Sequence, residues 1–113
     1  MDNEQGLRLL NKAYEVNLWL TRHSLRMPRG LRFSLGQRLQ TAATELCLAL
    51  VNTRYAKRID RPLARADARL GELRLLVRMA LDLEAISERQ FGFISEHIAE
   101  LGRQLGGWRR SLL

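Results

Sequence analysis

Ser87-Glu-Arg-Gln90-Phe91-Gly-Phe-Ile94-Ser-Glu-His97-Ile98-Ala-Glu-Leu101-Gly102-Arg-Gln-Leu105-Gly106-Gly107-Trp108 reads as one helix with both of its ends spelled out. Ser87 can accept from the backbone of the first turn, and Gln90, three residues on, can reach back to close a capping box. Ile86 before the cap and Phe91 inside it have the spacing of a hydrophobic staple. Phe91, Ile94, Ile98, Leu101 and Leu105 recur at three- and four-residue steps and make one apolar face. Gly106-Gly107 is the expected stop, because glycine adopts the left-handed conformation without a Cβ penalty.

Working outward, three more helices precede it. The first spans about residues 4–22, with Leu7, Leu10, Tyr14, Leu18 and Thr21 expected in the core and a second apolar stripe, Leu9, Ala13, Val16 and Leu20, on the other side. A loop at about 23–33 is punctuated by Pro28 and Gly30. The second helix is expected to start at Ser34, which has capping-box spacing to Gln37 with Phe33 just before it, and to end near Arg58. Leu39, Ala42, Leu46, Leu50 and Thr53 form its core face. Asp60 is expected to cap the third helix, with Pro62 in its first turn. Leu63, Ala66, Leu70, Leu73, Val77, Ala80 and Leu81 form its stripe. The connections after the second and third helices are very short, so those neighbours should run antiparallel. The 113 residues are expected to form one all-α domain, an up-and-down four-helix bundle over 1–113.

Leu75 and Met79 lie off the core stripe of the third helix, as Leu9, Val16 and Leu20 do on the first. A helix apolar on two sides is buried on two sides, so self-association through these second faces is expected.

The net charge is +7, and all of it comes from one segment. Residues 22–58 hold Arg22, Arg26, Arg29, Arg32, Arg38, Arg54, Lys57 and Arg58 against Glu45 alone, while the rest of the chain balances. All basic residues but Lys12 and Lys57 are arginine, the side chain that forks onto phosphate or carboxylate. Such a segment suits a polyanion held by its phosphates, with salt-sensitive and weakly sequence-dependent binding. The second helix is too small and apolar to read base edges.

Catalytic constellations are missing from the sequence. His23 and His97 stand on different segments, and the residues three before them are Leu20 and Ile94, not the glutamates of a di-iron motif. There is no His-Glu-x-x-His, Cys-x-x-Cys or phosphate loop. Glu96, His97 and Glu100 read as a solvated helix face. Cys47 reads as a small helix residue in a reducing compartment. No window reads as a membrane span, and Met1-Asp-Asn-Glu-Gln has no signal-peptide core, so a cytoplasmic protein with no cofactor, no metal and no enzymatic activity is expected.

Three stretches together resemble one family. They are Pro28-Arg29-Gly-Leu-Arg32-Phe33-Ser-Leu35-Gly36-Gln-Arg38, Leu70-Gly-Glu-Leu73-Arg74-Leu-Leu-Val-Arg78-Met-Ala80, and Ser87-Glu-Arg-Gln90-Phe91 with Glu100-Leu-Gly102-Arg103-Gln-Leu-Gly106-Gly107-Trp108. They are similar to the accessory variability determinant (Avd) proteins of diversity-generating retroelements, within the four-helix-bundle proteins encoded in ribosomal RNA intervening sequences. The resemblance covers about residues 14–110. It implies a non-catalytic accessory protein that forms a homopentameric barrel and binds nucleic acid, RNA or DNA. It also implies a reverse transcriptase partner, which copies a template RNA with errors at adenines. The candidate contact residues are Arg26, Arg29, Arg32, Arg38, Arg54, Lys57 and Arg58, with Arg74 and Arg78. The last two stand four apart on the third helix, match the family's motif there, and would form a charged ring in an oligomer. A self-assembling structural or ribosome-associated bundle without a reverse transcriptase fits the same fold.

Overall fold

A computed structural model describes residues 3–112. Helices α1 (Asn3–Leu25), α2 (Gln37–Asn52), α3 (Asp60–Asp82) and α4 (Glu88–Arg110) make up most of it, with no strand among the described residues. Each helix packs on the next in chain order, and α4 closes back on α1. The α2–α3 and α3–α4 connections are short, so those neighbours run antiparallel, and the pairing of Asn17 with Cys47 and of Ser24 with Gln40 shows α1 antiparallel to α2, which makes an up-and-down four-helix bundle. The α2–α3 seam is the most extensive and the α1–α4 seam the slightest, while α1 and α3 lie diagonally across the bundle.

The start of α4 follows its local code. The Ser87 side chain accepts from the Gln90 backbone at 3.1 Å, and the Gln90 side chain accepts from the Ser87 backbone at 2.9 Å. Ile86 is buried and Phe91 half-buried against the core. The end of α4 departs from expectation. Gly106 and Gly107 do not stop the helix, which runs on to Arg110, and no described glycine has a positive φ. Glycine permits the left-handed turn without forcing it. Here Trp108 is buried in the core, with its indole directly against Gly6 of α1, and that burial carries the helix through the glycines.

The chain does take a left-handed residue before α4, at Glu84, φ 59°. Ala85 N–H donates to Ala80 O and Glu84 N–H to Leu81 O, each at 2.8–2.9 Å, so α3 ends in a full Schellman motif.

The faces of α1 are the reverse of the expected ones. Leu9, Ala13, Val16 and Leu20 are buried, whereas Leu7 and Tyr14 are about half exposed, at 51% and 54%, and Leu10, Leu18 and Thr21 are half-buried. Both stripes are apolar, so periodicity could not rank them. Burying Tyr14 would also strand a hydroxyl, while the 9–20 stripe carries no side-chain polar atom.

Two boundaries of α2 also differ. The chain is already helical at Arg29–Leu31, directly after Pro28, and passes through a π turn at Arg32–Gly36 into α2. Ser34 therefore caps nothing. Its hydroxyl donates back to Gly30 O at 2.9 Å, and Phe33 points outward instead of stapling. At the other end α2 stops at Asn52, not near Arg58. Tight bonds from Thr53 N–H to Leu50 O and Arg54 N–H to Val51 O close the last turn, and the Thr53 hydroxyl donates to Leu50 O. Beyond it Tyr55 is 80% exposed, so no burial sustains another turn. Asp60 opens α3 as its first helical residue, not as its cap, where its charge suits the helix N-terminus; Ile59 holds the cap position without a side-chain bond.

The core stripes of α2 and α3 match the sequence reading. Leu39, Ala42, Leu46, Leu50, Leu63, Ala66, Leu70, Leu73, Val77 and Ala80 are buried, with Thr53 and Leu81 half-buried. Cys47 is buried beside Asn17, and that burial pushes its thiol above the ordinary range. Ser24, fully buried, donates to Thr21 O and accepts from Gln40, tying the end of α1 to α2.

Candidate nucleic-acid and partner interface

The basic segment 22–58 does not form one patch. Arg22 ends α1, Arg26 follows it, Arg29 and Arg32 lie in the helical turns before α2, and Arg38 opens α2. Arg54, Lys57 and Arg58 lie in the α2–α3 connection, at the other end of a 16-residue helix, roughly 24 Å away. Linear crowding thus becomes two clusters at opposite ends of the bundle.

The clusters differ in free charge. Ion pairs among the described residues involve Arg58 with Asp60, Arg69 with Glu72, Arg78 with Asp82, Arg103 with Glu96 and Glu100, and Arg109 with Asp67. None involves Arg22, Arg26, Arg29, Arg32 or Arg38. Arg22, Arg26, Arg29 and Arg38 face water, and no bound carboxylate compensates any of the five, which concentrates positive potential at the α1–α2 turn. Arg32 is half-buried there, with its guanidinium 5.3 Å from the Phe33 ring centroid and its Nε enclosed without a hydrogen-bond partner. That leaves the two terminal guanidinium nitrogens, Nη1 and Nη2, as the part of Arg32 able to serve a ligand.

Arg74 and Arg78 share the α3 flank that faces α4, yet they do different things. Arg78 donates to Asp82 at 3.2 Å, both ends exposed, so this bond adds little stability. Arg74 reaches across to α4 and rests against Gly102. Farther around α4, Arg103 bonds Glu100 at 2.6 Å. Bonds from Arg103 and then Gln104 hold the Glu100 carboxyl below its usual range, and the same contact raises Arg103.

Two apolar surfaces stay open. Leu7, Tyr14 and Leu25 line the outer face of α1, and Leu75, Met79 and Leu83 the outer side of α3. For α3 these include the residues expected off its core stripe. For α1 the open stripe is the one expected inside.

A further cluster is invisible to the periodicity of either helix alone. Trp19 stacks on His23, ring centroids 3.6 Å apart and 18° between planes. Across the α1–α4 seam Phe93 lies 5.8 Å from Trp19 and 4.5 Å from His97. The signal available in sequence is a pair of ring residues at four-residue spacing on each helix, Trp19/His23 and Phe93/His97.

Among the described residues no group of three or more His, Cys, Asp or Glu is placed to hold a metal ion, and no helix is long and apolar enough to cross a membrane. Residues 7–112 match the model of the bAvd-like family. No curated protein and no solved structure matches the chain.

Proposed function

The chain belongs to the bAvd-like family, and on that premise we propose that it is a non-catalytic accessory protein of a diversity-generating retroelement. In this reading it binds the element's reverse transcriptase and nucleic acid, and supports mutagenic cDNA synthesis from template RNA. The observation that carries the nucleic-acid part is the group of five arginines around the α1–α2 turn, Arg22, Arg26, Arg29, Arg32 and Arg38, with no ion pair among the described residues. Phosphate contacts displace condensed counterions, so such a cluster binds a polyanion strongly at low salt and weakly at high salt.

Assembly is argued from the open faces. The apolar surfaces of α1 and α3 are different patches on diagonally opposite helices. One patch meeting the other on the next copy is a heterologous contact, the kind that builds a ring when the rotation between copies closes, and the count of five is what the resemblance to the Avd family implies. The ring would repeat each subunit's arginines around one axis, and Arg74 with Arg78 would supply the contact to the polymerase.

The test is co-expression with a reverse transcriptase of a diversity-generating retroelement from the same genome, followed by co-purification, light scattering and a cDNA synthesis assay. The reading expects a complex of several 13.1 kDa chains with one polymerase, and loss of cDNA in Arg74→Glu with Arg78→Glu. A stable ring that neither holds a polymerase nor binds nucleic acid would instead fit a structural bundle.

A further inference from the structure

We propose that the ring ladder at the α1–α4 seam, Trp19, Phe93 and His97 with His23 behind, is a base-stacking seat for single-stranded nucleic acid. The proposal rests on the nucleic-acid reading above and locates where the bases go.

Trp19 is half-buried and packs against the core, and the two rings beyond it stand clear of the core. Phe93 is 51% exposed and His97 is exposed, while the α4 residues that face the core, Ile94 and Ile98, are buried next to them. His23 covers one side of Trp19, and its ring nitrogen Nδ1 lies 2.8 Å from Trp19 O, which fixes the stack. Phe93 then stands tilted by 30° to Trp19 and 53° to His97. Between the helices lies an open groove of about 240 Å³, lined by Trp19, Phe93, His97, Arg22 and Glu15 among others. The α1–α4 seam is the loosest in the bundle, which is why a groove persists there.

Charge selects the occupant. Arg22 lines the groove, and Arg26 follows four residues on; neither is ion-paired among the described residues. On the α4 side the nearby carboxylates, Glu96 and Glu100, are both held by Arg103. Glu15, on the turn before Trp19, is the groove's own carboxylate, and it directs phosphates toward the Arg22 end. Exposed π faces beside unpaired arginines are what an unstacked strand needs, bases on rings and phosphates on guanidinium groups. A second copy of this chain has better seats in the apolar faces of α1 and α3. Every base has a π face, so the seat is tolerant of sequence. It serves RNA and DNA strands alike, and a duplex, whose bases are already stacked, cannot use it.

The experiment measures binding of fluorescein-labelled oligouridine, oligothymidine, an abasic strand of equal length and a duplex to the full-length protein. The variants are Phe93→Leu with His97→Gln, and Arg22→Gln with Arg26→Gln. The ring variant is expected to bind both single strands more weakly by roughly 5- to 150-fold, the range for losing one stacked base. Its duplex affinity and its oligomer mass should be unchanged. The abasic strand should bind wild type more weakly than the other two strands. The arginine variant should weaken strand and duplex together. Loss confined to the RNA or to the DNA strand overturns a seat that reads only the π face common to both. Equal loss on strand and duplex, no loss at all, or a changed mass by light scattering overturns the seat while leaving the nucleic-acid reading in place. If wild type binds neither strand nor duplex, that broader reading is the one that fails. Should the ring variant not fold, photocrosslinking of a 4-thiouridine strand to wild type decides. Crosslinks at Trp19, Phe93 or His97 support the seat, and crosslinks only elsewhere overturn it.

Discussion

The Arg74 guanidinium occupies the space beside Gly102 that a Cβ would fill. The obstruction is the far end of a flexible side chain, so Gly102→Ala can displace it at small cost. Removing glycine from a helix interior stabilises by about 0.5–1 kcal/mol. Gly102→Ala should therefore leave the urea midpoint unchanged or raise it, while freeing Arg74 from α4. A clear drop in midpoint would show that the Arg74–Gly102 contact holds the α3–α4 seam together.

Trp108 should be indispensable to the fold. It is 2% exposed and packs on Gly6. Trp108→Ala should cost about 3–5 kcal/mol, as truncation of a buried aromatic ring does. Denaturant unfolding measures it, and a cost below about 1 kcal/mol would mean that α4 effectively ends at the glycine pair, against the packing described above.

Two serines with the same capping-box spacing should behave differently. Ser87→Ala removes a real cap and should cost about 1 kcal/mol. Ser34→Ala removes only a bond back to Gly30 O within the helical turn and should change stability by less than about 0.5 kcal/mol. Equal losses in thermal unfolding would contradict the π turn at Arg32–Gly36.

Glu84 is a non-glycine residue at φ 59°. Glu84→Gly should stabilise by about 0.5–1 kcal/mol, the relief of a left-handed Cβ less the entropy that glycine adds to the unfolded chain. Glu84→Val, branched at Cβ, should do the opposite. Chemical denaturation of both variants gives the signs directly.

The outer faces of α1 and α3 should carry assembly. Tyr14→Glu or Met79→Glu should lower the mass seen by light scattering with helicity retained, since both side chains are more than 40% exposed in the single chain. Leu9→Glu, at 2% exposure, should unfold the bundle instead. If Tyr14→Glu and Met79→Glu both leave the mass as in wild type, assembly uses another surface or does not occur.

These outcomes follow the line between what local sequence could and could not decide. The start of α4 was readable because Ser87 and Gln90 satisfy each other within one turn. The core stripes of α2 and α3 were readable because each is the main continuous apolar row of its helix. The inner face of α1 was not, because two rows compete there and only the neighbouring helices choose between them. Nor was the end of α4, because the residue that prolongs it, Trp108, is held by α1 at the far end of the sequence. The candidate site suffered from the same non-locality. Arg26 and Arg58 look like members of one run, but α2 sets them at opposite ends. The Phe93–Trp19 contact joins first and last helices, so neither half announces it.

The π turn at Arg32–Gly36 holds one residue more than an α turn needs. That extra residue sets the phase between the arginine-bearing turn and everything after it. Deleting one residue there would let the segment relax to an α turn and swing Arg29 by about 100° around the α2 axis, against the resistance of Ser24 and Met27, which are buried at and just beyond the end of α1. The direction in which the turn aims Arg29 is thus set by a residue count, and the buried contacts of Ser24, Met27 and Leu35 keep that count fixed.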